Sequence, residues 1–456
     1  MAGANWSTDD TIVYSSYPDQ IMRVSAGGGT PESLVKMSGS TNLVNPHILP
    51  DGESLLYSAG GPPRIMVKPL KSEEPKELLP GWVAGYLPTG YILYWPPDAP
   101  NLFAVPFDLN RLEVVGDPVP MVEDVAEAAI SESGTLAYIP ETASAAAQKI
   151  TLVWVNREGK EEHLGTPLNP YAFPKISPDG TRVALSIGSF PDLDIWIWDI
   201  VRKSLSKLTF EKTRDMTPVW SPDGKRIAYW ADTSGASPNG LYLKAADGTG
   251  EAEKLISTEE GRQLHPGSWS NDGKNLLLQE FVTWTNFELC VLPLEGDHTL
   301  KRLLQTEYSE LAPEISPDGR WIAYTSNESD KEEVYVRPFP EVNKGKWQIS
   351  TSGGNSPLWS PDMQELFYLS EDNFAMAVAI ETEPTVSFGT PKMLFKNTNL
   401  AYDAYTGTPW DIHPDGKRFL MMKRSEATAS EEERPKPKIT VVLNWDEEVK
   451  ERVPVD

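Results

Sequence analysis

The chain repeats one stretch many times: Val219-Trp220-Ser221-Pro222-Asp223-Gly224-Lys225-Arg226-Ile227-Ala228-Tyr229. Close copies read ISPDGTRVA from Ile176, ISPDGRWIAY from Ile315 and WSPDMQELFY from Trp359, and weaker copies begin at Trp6, Leu49, Leu87, Ile130, Trp269 and Ile412. The position of the motif aspartate recurs every 38 to 53 residues, at Asp9, Asp51, Thr89, Ser133, Asp179, Asp223, Asp272, Asp318, Asp362 and Asp415. This spacing predicts one structural unit that is used ten times.

Within each copy a short strand ends at the Trp or Ile, Ser-Pro-Asp-Gly turns the chain, and a second strand follows. Proline presets φ for the turn, aspartate accepts hydrogen bonds from nearby backbone amides, and glycine takes the position with positive φ. We therefore predict a structural turn role for a set of seven aspartates: Asp51, Asp179, Asp223, Asp272, Asp318, Asp362 and Asp415. Two further strands complete each unit of about 45 residues, which is typical of a four-stranded antiparallel propeller blade. The sequence predicts an all-β protein, a β-propeller of ten blade-like repeats, with one short helix at 446–453.

These units resemble the WD40-like Asp repeats (PD40) of TolB-like β-propellers, on the signature Trp220–Gly224. The chain also resembles the propeller region that follows a serine/threonine protein kinase domain in some soil bacteria of the acidobacterial type. The stretches that carry this second resemblance are TLVWVNR (151–157), DIWIW (194–198), EVYVRPFP (333–340), KWQISTSGG (346–354) and ITVVLNW (439–445). It implies the sensor or interaction region of a bacterial signalling protein, with a kinase and a membrane span upstream. A periplasmic or other extracytoplasmic location is favoured over the cytoplasm by the same resemblance.

Ten units allow two arrangements. The six more regular copies, Asp179 to Asp415, predict a six-bladed TolB-like ring over residues 149–456, closed by pairing of Ile150–Asn156 or 161–165 with 439–445. The four copies in residues 1–148 then predict a portion of a second propeller. A stretch of small residues at 141–148 favours this division. The alternative is one continuous large ring.

The charge of the chain excludes several classes of partner. The sequence has 41 Lys and Arg against 66 Asp and Glu, a net charge of −25, which repels nucleic acid and is compatible with cationic partners. No apolar run is long enough to span a bilayer, so we predict no membrane insertion by this chain. Cys290 is the sole cysteine, which rules out an intrachain disulfide and a thiolate metal site.

Motifs for catalysis are missing from the sequence: it has no G-x-S-x-G, no P-loop, no kinase catalytic loop and no H-E-x-x-H. We therefore predict no catalytic residue, no metal and no cofactor, and a non-catalytic scaffold. His47, His265 and His413 lie close to motif turns. They keep open a metal-dependent lyase or hydrolase, because TolB-like polysaccharide lyases have histidine-lined metal sites. The propeller part of a peptidase is the other enzyme alternative.

The candidate binding residues lie just before the innermost strands, at one mouth of the expected central channel. Their chemistry varies from unit to unit while the frame stays constant, as in a ligand-reading surface. They are Tyr171, Asp215, His265, Glu310 and Asn355. We predict that this mouth binds a protein, peptide or glycan ligand, whose identity the repeats do not encode.

Overall fold

The computed structural model describes residues 3–7, 9–16, 20–36, 43–60, 63–72, 74–97, 101–131, 133–140, 150–189, 192–211, 213–232, 239–258, 262–283, 286–381, 386–397, 407–424 and 439–453. The chain divides into two compact units. The first unit comprises Met1–Ala147 and Ala427–Asp456, and the second comprises Gln148–Glu426. The stretch 141–148, expected to separate two propellers, lies outside the described residues.

The first unit begins with strands that alternate with tight turns. They are β1 (Ala4–Trp6), β2 (Thr11–Ser16), β3 (Gln20–Ser25), β4 (Glu32–Lys36), β5 (Leu43–Ile48), β6 (Ser54–Ala59), β7 (Arg64–Pro69), β8 (Lys76–Pro80), β9 (Trp82–Leu87), β10 (Tyr91–Trp95), β11 (Leu102–Asp108), β12 (Glu113–Val114), β13 (Val119–Val122), β14 (Val125–Ile130) and β15 (Leu136–Pro140).

The second unit continues in the same manner. Its strands are β16 (Ile150–Asn156), β17 (Glu161–His163), β18 (Tyr171–Ile176), β19 (Arg182–Ser189), β20 (Asp192–Asp199), β21 (Ser204–Lys207), β22 (Arg214–Trp220), β23 (Arg226–Asp232), β24 (Gly240–Ala245), β25 (Glu253–Ser257), β26 (Gln263–Trp269), β27 (Asn275–Thr283), β28 (Asn286–Pro293), β29 (Lys301–Leu304), β30 (Glu310–Ile315), β31 (Trp321–Ser326), β32 (Glu333–Pro338), β33 (Trp347–Gln348), β34 (Asn355–Trp359), β35 (Glu365–Leu369), β36 (Phe374–Glu381), β37 (Ser387–Phe388), β38 (Lys392–Lys396), β39 (Trp410–Ile412) and β40 (Arg418–Arg424). A 3-10 turn, Val342–Lys344, follows β32.

Across the described residues the strands form ten antiparallel sheets, seven of four strands, two of five and one of three, consistent with propeller blades. Each of the ten motif turns joins the first two strands of one sheet. In the second unit five sheets use consecutive strands, from β18 to β38. The sixth has the order β17-β16-β40-β39 and so combines strands from both ends of the unit.

The chain returns to the first unit after β40, through β41 (Thr440–Val442) and helix α1 (Trp445–Arg452). Strand β41 pairs with β15, and Ile150–Asn156 pairs with β40 along its whole length. The expected pairing of 439–445 with Ile150–Asn156 is therefore wrong. The reason is that β39 and β40 lack a third and fourth strand, which β16 and β17 supply, whereas β14 and β15 lack the strand that β41 supplies. None of the described helices has the length and apolarity needed to cross a bilayer.

In the second unit both faces of the sheets are apolar because each sheet packs between two others. On β22, Trp220 packs with Ala184 and Ile195 of the preceding sheet. The neighbouring residue Val219 points the opposite way and packs with Leu264 of the following sheet. Successive residues on a strand face opposite sides, so a strand that is buried on both faces reads as a continuous apolar run. The core is thus a series of layers between sheets.

Serine and aspartate hold each motif turn together. Asp223 accepts hydrogen bonds from the Ser221 hydroxyl at 2.6 Å and from the Lys225 amide at 3.1 Å, and the Ser221 hydroxyl oxygen accepts from the Arg226 amide at 2.9 Å. The other aspartates of the set accept an amide two residues ahead: Asp51, Asp179, Asp272, Asp318, Asp362 and Asp415. Hydrogen bonding favours the ionised carboxylate. The pKa of Asp223 is accordingly held below its usual value, with the Ser221 hydroxyl as the largest cause.

Hydrogen bonds also join neighbouring sheets at the Trp or Ile that precedes four of these turns. The Trp220 indole donates to the Lys175 carbonyl at 2.9 Å, and the Trp359 indole donates to the Glu314 carbonyl at 3.2 Å. Isoleucine has no side-chain donor. In two copies with isoleucine the backbone amide donates to a side chain of the preceding sheet instead. The Ile176 amide donates to Asp411 at 2.7 Å, and the Ile315 amide donates to Ser268 at 2.7 Å.

Candidate functional site

Four of the six innermost strands of the second unit share a left-handed residue directly before a proline. The residues with positive φ are Phe173, Thr217, Ala312 and Ser356, at 53°, 55°, 48° and 52°. Each strand shifts its register with the next strand at this point, so one extra residue bulges out. Proline is tolerated there because it lies on an edge strand, where its missing N–H breaks no ladder bond. The bulge turns the residue before the proline toward the centre of the unit.

A cavity with about 400 Å³ of empty space, part of it open to solvent, lies where these strands meet. Its walls come from β18, β22, β26, β27 and β30, and from Gly407 and Thr408, which precede β39. The lining residues are Phe173, Lys175, Thr217, Pro218, His265, Pro266, Gly267, Gln279, Ala312, Pro313, Glu314, Gly407 and Thr408.

His265 is the predicted binding residue that lines this cavity. Its imidazole is 1% exposed, with Nδ1 3.3 Å from the Thr217 hydroxyl and Nε2 3.0 Å from the Gln263 side-chain oxygen. The ring also contacts Trp230, with 5.1 Å between ring centroids. Burial, with a smaller effect from the Arg214 charge, lowers the pKa of His265 to about 3. The imidazole is therefore neutral at physiological pH and forms a polar, uncharged part of the cavity wall.

Three ionisable side chains influence one another around the cavity: Lys175 on β18, Glu314 on β30 and Asp411 on β39. Burial raises the pKa of Glu314 to about 8; the Asp411 charge adds to this rise, and Lys175 opposes it. Glu314 Oε2 is buried and has no hydrogen-bond partner. Asp411 accepts hydrogen bonds from the amides of Ile176 and Ile412, and burial raises its pKa as well.

None of the other four predicted residues lines this cavity; three of them are buried inside the unit, and Asn355 is half-buried. Tyr171 is 3% exposed, and its hydroxyl donates to the Pro167 carbonyl at 2.6 Å. Asp215 is 0% and Glu310 1% exposed, each accepting from a threonine hydroxyl, at 2.7 and 2.8 Å. Asn355 has a buried side-chain oxygen without a partner. The structure brings His265 to the cavity and leaves the other four apart from it; a binding role for the five stays a prediction.

Two of these buried carboxyl groups are shifted toward the neutral form. Burial raises the pKa of Asp215 to about 6 and the pKa of Glu310 to about 7, while hydrogen bonds from nearby threonines oppose both shifts. One carboxyl oxygen of each, Asp215 Oδ2 and Glu310 Oε2, is buried without a hydrogen-bond partner. A protonated carboxyl avoids burying a charge, which explains the direction of both shifts.

The remaining histidines proposed for metal binding lie at separate places. His47 is on β5 of the first unit, and burial lowers its pKa to about 4. His413 lies in the motif turn of the second unit, where its Nδ1 is 3.0 Å from an Asp415 oxygen. Its ring contacts Trp154 edge-on, at 5.4 Å between centroids. Within the described part of the chain, no group of three or more His, Cys, Asp or Glu side chains is arranged to hold a metal ion.

Sequence reasoning missed Lys175, Glu314 and Thr408, which line the cavity. Lys175 and Glu314 occupy the strand position that holds the core residues Val219 and Leu358 in other copies. A signal for them was present: a charged residue between the inner-strand proline and the motif isoleucine, in Pro174-Lys175-Ile176 and Pro313-Glu314-Ile315. A charged residue at a strand position that is apolar in other copies indicates that its side chain does not lie in an apolar core.

Comparison with known proteins agrees with this architecture. The family model described as PD40, TolB beta propeller domain, matches residues 131–299. A solved structure assigned as TolB, from Agrobacterium tumefaciens, superposes with a TM-score of 0.50 at 19% identity and covers 61% of this chain and 99% of that chain. At this identity the likeness concerns the fold. The chain therefore carries a PD40/TolB-like β-propeller domain.

Curated relatives match shorter segments. The "Uncharacterized peptidase YuxL" of Bacillus subtilis (strain 168) is 26% identical over 201 residues, which is 35% of this chain and 30% of that protein. The "Protein TolB homolog" of Chlorobium luteolum is 31% identical over 136 residues, which is 29% of this chain and 28% of that protein. The matched region spans less than a third of the length of either relative.

Proposed function

We propose that the second unit is a closed six-bladed propeller that works as a non-catalytic binding module. Six motif copies, from Asp179 to Asp415, fall in its six described sheets. The pairing of β16 with β40 supports closure, because these strands come from the two ends of the unit. The hydrogen bond from the Ile176 amide to Asp411 supports it too, since it joins the first of these copies to the last.

The proposed ligand site is the cavity between the innermost strands, and the proposed ligand is a segment of a protein, a peptide or a glycan. The observation that carries this proposal is the contrast between a repeated backbone geometry and the different side chains around the cavity. Four of the six inner strands repeat the proline bulge, yet the side chains that the inner strands present to the cavity differ: Phe173, Lys175, Thr217, His265 and Glu314. A packing role alone would favour one residue type at equivalent positions, whereas ligand recognition favours different ones.

The test is direct binding to the purified chain. Labelled peptide and oligosaccharide libraries are screened by fluorescence anisotropy, and each hit is measured again with Lys175→Ala, which changes a cavity side chain. Lys301→Ala is the matched control, because Lys301 is exposed on β29. We expect Lys175→Ala to change the affinity at least tenfold and Lys301→Ala to leave it unchanged. Equal binding by both variants would place the ligand elsewhere and refute the proposed site.

The similarity to a peptidase favours a second candidate, in which this chain is the propeller part of such an enzyme. The metal-dependent lyase or hydrolase built on His47, His265 or His413 has less support, because both ring nitrogens of His265 lie against protein groups. Metal analysis of the purified protein, together with turnover assays on peptides and polyuronides, tests both enzymes. Stoichiometric metal that is lost in His265→Ala, or turnover of either substrate class, would overturn the non-catalytic proposal.

We also propose a place for this module in a larger bacterial signalling protein, as its sensor or interaction region. This proposal rests on the resemblance to propeller regions that follow kinase domains. The deciding observation is the full reading frame of the gene. A kinase domain and a membrane span upstream of residue 1 would support the proposal, and their absence from the complete frame would overturn it.

A further inference from the structure

We propose that the cavity of the second unit recognises a cationic group of its ligand, a primary ammonium or a guanidinium, which pairs with the Glu314 carboxylate. This inference rests on the proposed function, since it takes the cavity as the ligand site. It adds the chemistry of the recognised group: the side chain of a lysine or arginine, or the amino terminus, of a peptide.

The first argument is a set of unsatisfied acceptors on the cavity wall. Glu314 Oε2 is buried and accepts no hydrogen bond. The Thr408 hydroxyl, in a residue that is 8% exposed, also lacks a partner. Burying a polar atom without a partner is unfavourable, and buried polar atoms in native proteins are nearly always paired. A ligand with several N–H donors would satisfy both atoms, and ammonium and guanidinium groups carry three and five donors.

The second argument concerns the charges that face Glu314. Lys175 comes from β18 and Asp411 from β39, and these two carry opposite formal charges. His265, on β26, is buried and neutral. Lys175 acts on both carboxyl groups, so the Glu314 and Asp411 carboxyl groups share one cationic side chain. The net charge of −25 adds a field that concentrates cations near the protein.

The third argument separates an organic cation from a metal ion. A metal ion requires several protein ligands, and no group of three or more His, Cys, Asp or Glu side chains is so arranged among the residues that the structure describes. The cavity wall also contains the aromatic ring of Phe173. An ammonium or guanidinium group is attracted to an aromatic face as well as to a carboxylate, and a small hydrated metal ion gains less from such a wall.

This inference has a consequence for protons. Because burial raises the pKa of Glu314 to about 8, the carboxyl group carries its proton at neutral pH. Pairing with a cation favours the ionised form, so the carboxyl O–H bond breaks and the proton goes to the buffer. Affinity should therefore rise from pH 6 to pH 8, by up to about tenfold per pH unit, and level off above pH 8. A lysine side chain keeps its own charge over this range.

The experiment uses four acetylated, amidated peptides, Gly-X-Gly-Gly, in which X is lysine, arginine, norleucine or glutamate. Each is titrated into the full chain by calorimetry at pH 6 and pH 8, in two buffers of different protonation heat. We expect the lysine and arginine peptides to bind at least tenfold more tightly than the norleucine peptide at pH 8 and to release a proton at pH 6. Glu314→Gln should remove this preference, while Glu253→Gln, a matched change at an exposed residue of β25, should keep it.

The outcomes separate this inference from the proposed function. If the norleucine or glutamate peptide binds as tightly as the cationic peptides, and Lys175→Ala changes that affinity, the cavity is a ligand site and the cationic inference is wrong. If none of the four peptides binds, or binding ignores Lys175→Ala, the proposed peptide site itself fails. Should Glu314→Gln fold poorly, the pH dependence and proton release of the wild-type chain decide the question, and pH-independent binding refutes the inference.

Discussion

The residue that closes each Ser-Pro-Asp-Gly turn of the second unit has a left-handed backbone. Five of the six copies place glycine there, with φ between 67° and 75°: Gly180, Gly224, Gly273, Gly319 and Gly416. The sixth copy has Met363, at φ 61°. An L-residue with a side chain loses roughly 1–2 kcal/mol in this region. Met363 packs against the cluster around Trp359, a contact that offsets this strain.

The energetic cost of a side chain at these left-handed positions can be tested by alanine substitutions that cause no steric clash. An added Cβ at Gly273 or Gly319 would meet no atom within 4 Å. We expect Gly273→Ala and Gly319→Ala each to lower the free energy of unfolding by about 1 kcal/mol, measured by urea denaturation. Gly27→Ala is the control, because this glycine has no left-handed φ and its nearest neighbour atom would lie at 3.6 Å. Equal stability of the turn variants and the control would contradict the strain argument.

The buried Glu310 carboxyl predicts how stability changes with pH. Its folded-state pKa of about 7 lies above the usual glutamate value of 4.5. Between these two pH values the folded state therefore keeps a proton that the unfolded state has lost. Stability from this group is therefore fully present below pH 4.5 and is lost as the pH rises through 7, by up to about 3 kcal/mol. In Glu310→Gln the midpoint of urea unfolding should fall less from pH 5 to pH 8 than in the wild type. An unchanged slope would show that Glu310 is ionised when folded.

Residue types explain how much of the site was predictable. The turn aspartates were recognisable because their hydrogen bonds are local, reaching an amide two residues ahead, and because the motif repeats. His265 was singled out for its place near the inner strand, and it lines the cavity. Lys175 and Glu314 were not found, because their position on the strand is a core position in other copies. Only the packing of several strands shows that these two side chains face an opening.

At the scale of strands and sheets, the structure uses two forms of one connection between neighbours. The indoles of Trp220 and Trp359 donate to the backbone of the preceding sheet, whereas the indole N–H of Trp269 has no hydrogen-bond partner. The backbone amides of Ile176 and Ile315 donate to a side chain of the preceding sheet. The preceding inner strands then carry Ser268 or Asp411, one residue further from their proline than Lys175 and Glu314 are. The extra residue in these two copies thus has a structural reason.

These side-chain acceptors predict a graded loss of stability. Asp411→Ala leaves the buried amide of Ile176 without its acceptor, and Ser268→Ala does the same for the amide of Ile315. We expect losses of about 2–3 kcal/mol for Asp411→Ala and about 1–2 kcal/mol for Ser268→Ala, because hydrogen bonds to charged groups are stronger. Urea denaturation measures both. Asp411→Asn, which keeps one acceptor oxygen, should recover part of the loss, and no recovery would point to charge instead of hydrogen bonding.

Strand pairing between distant parts of the chain was the least predictable feature of the fold. The sequence identified 439–445 and Ile150–Asn156 as strands and paired them with each other. Ile150–Asn156 is a strand and the other segment contains the strand Thr440–Val442, but the two strands belong to different sheets. Local patterns state which face of a strand is apolar and say little about its neighbour, because pairing depends on which sheets lack a strand. The motif repeat predicts three or four strands per copy, but it does not predict which sheets β16, β17 and β41 join.

For the molecule as a whole, the path of the chain is interleaved. The second unit lies in sequence between β15 and β41, two strands that pair in the first unit. Helix α1 then adds Trp445, Val449 and Val453 to the core around β10 and β15. The Tyr91 hydroxyl donates to the Val453 carbonyl at 3.0 Å, which joins residues far apart in sequence. The first unit is therefore complete only when the end of the chain has returned.

This interleaving predicts separate responses to core substitutions at the two ends of the chain. Trp445 is 2% exposed in the core of the first unit, and Trp410 is 0% exposed in the core of the second. Replacing a buried tryptophan by alanine costs about 3–5 kcal/mol. Hydrogen–deuterium exchange should show Trp445→Ala raising exchange in β10, β15 and β41, and Trp410→Ala raising it in β16, β39 and β40. Each unit has its own hydrophobic clusters, so exchange in the other unit should stay near its wild-type level. If either substitution raises exchange equally in both units, the two fold as one cooperative body, and the division into two cores has no energetic meaning.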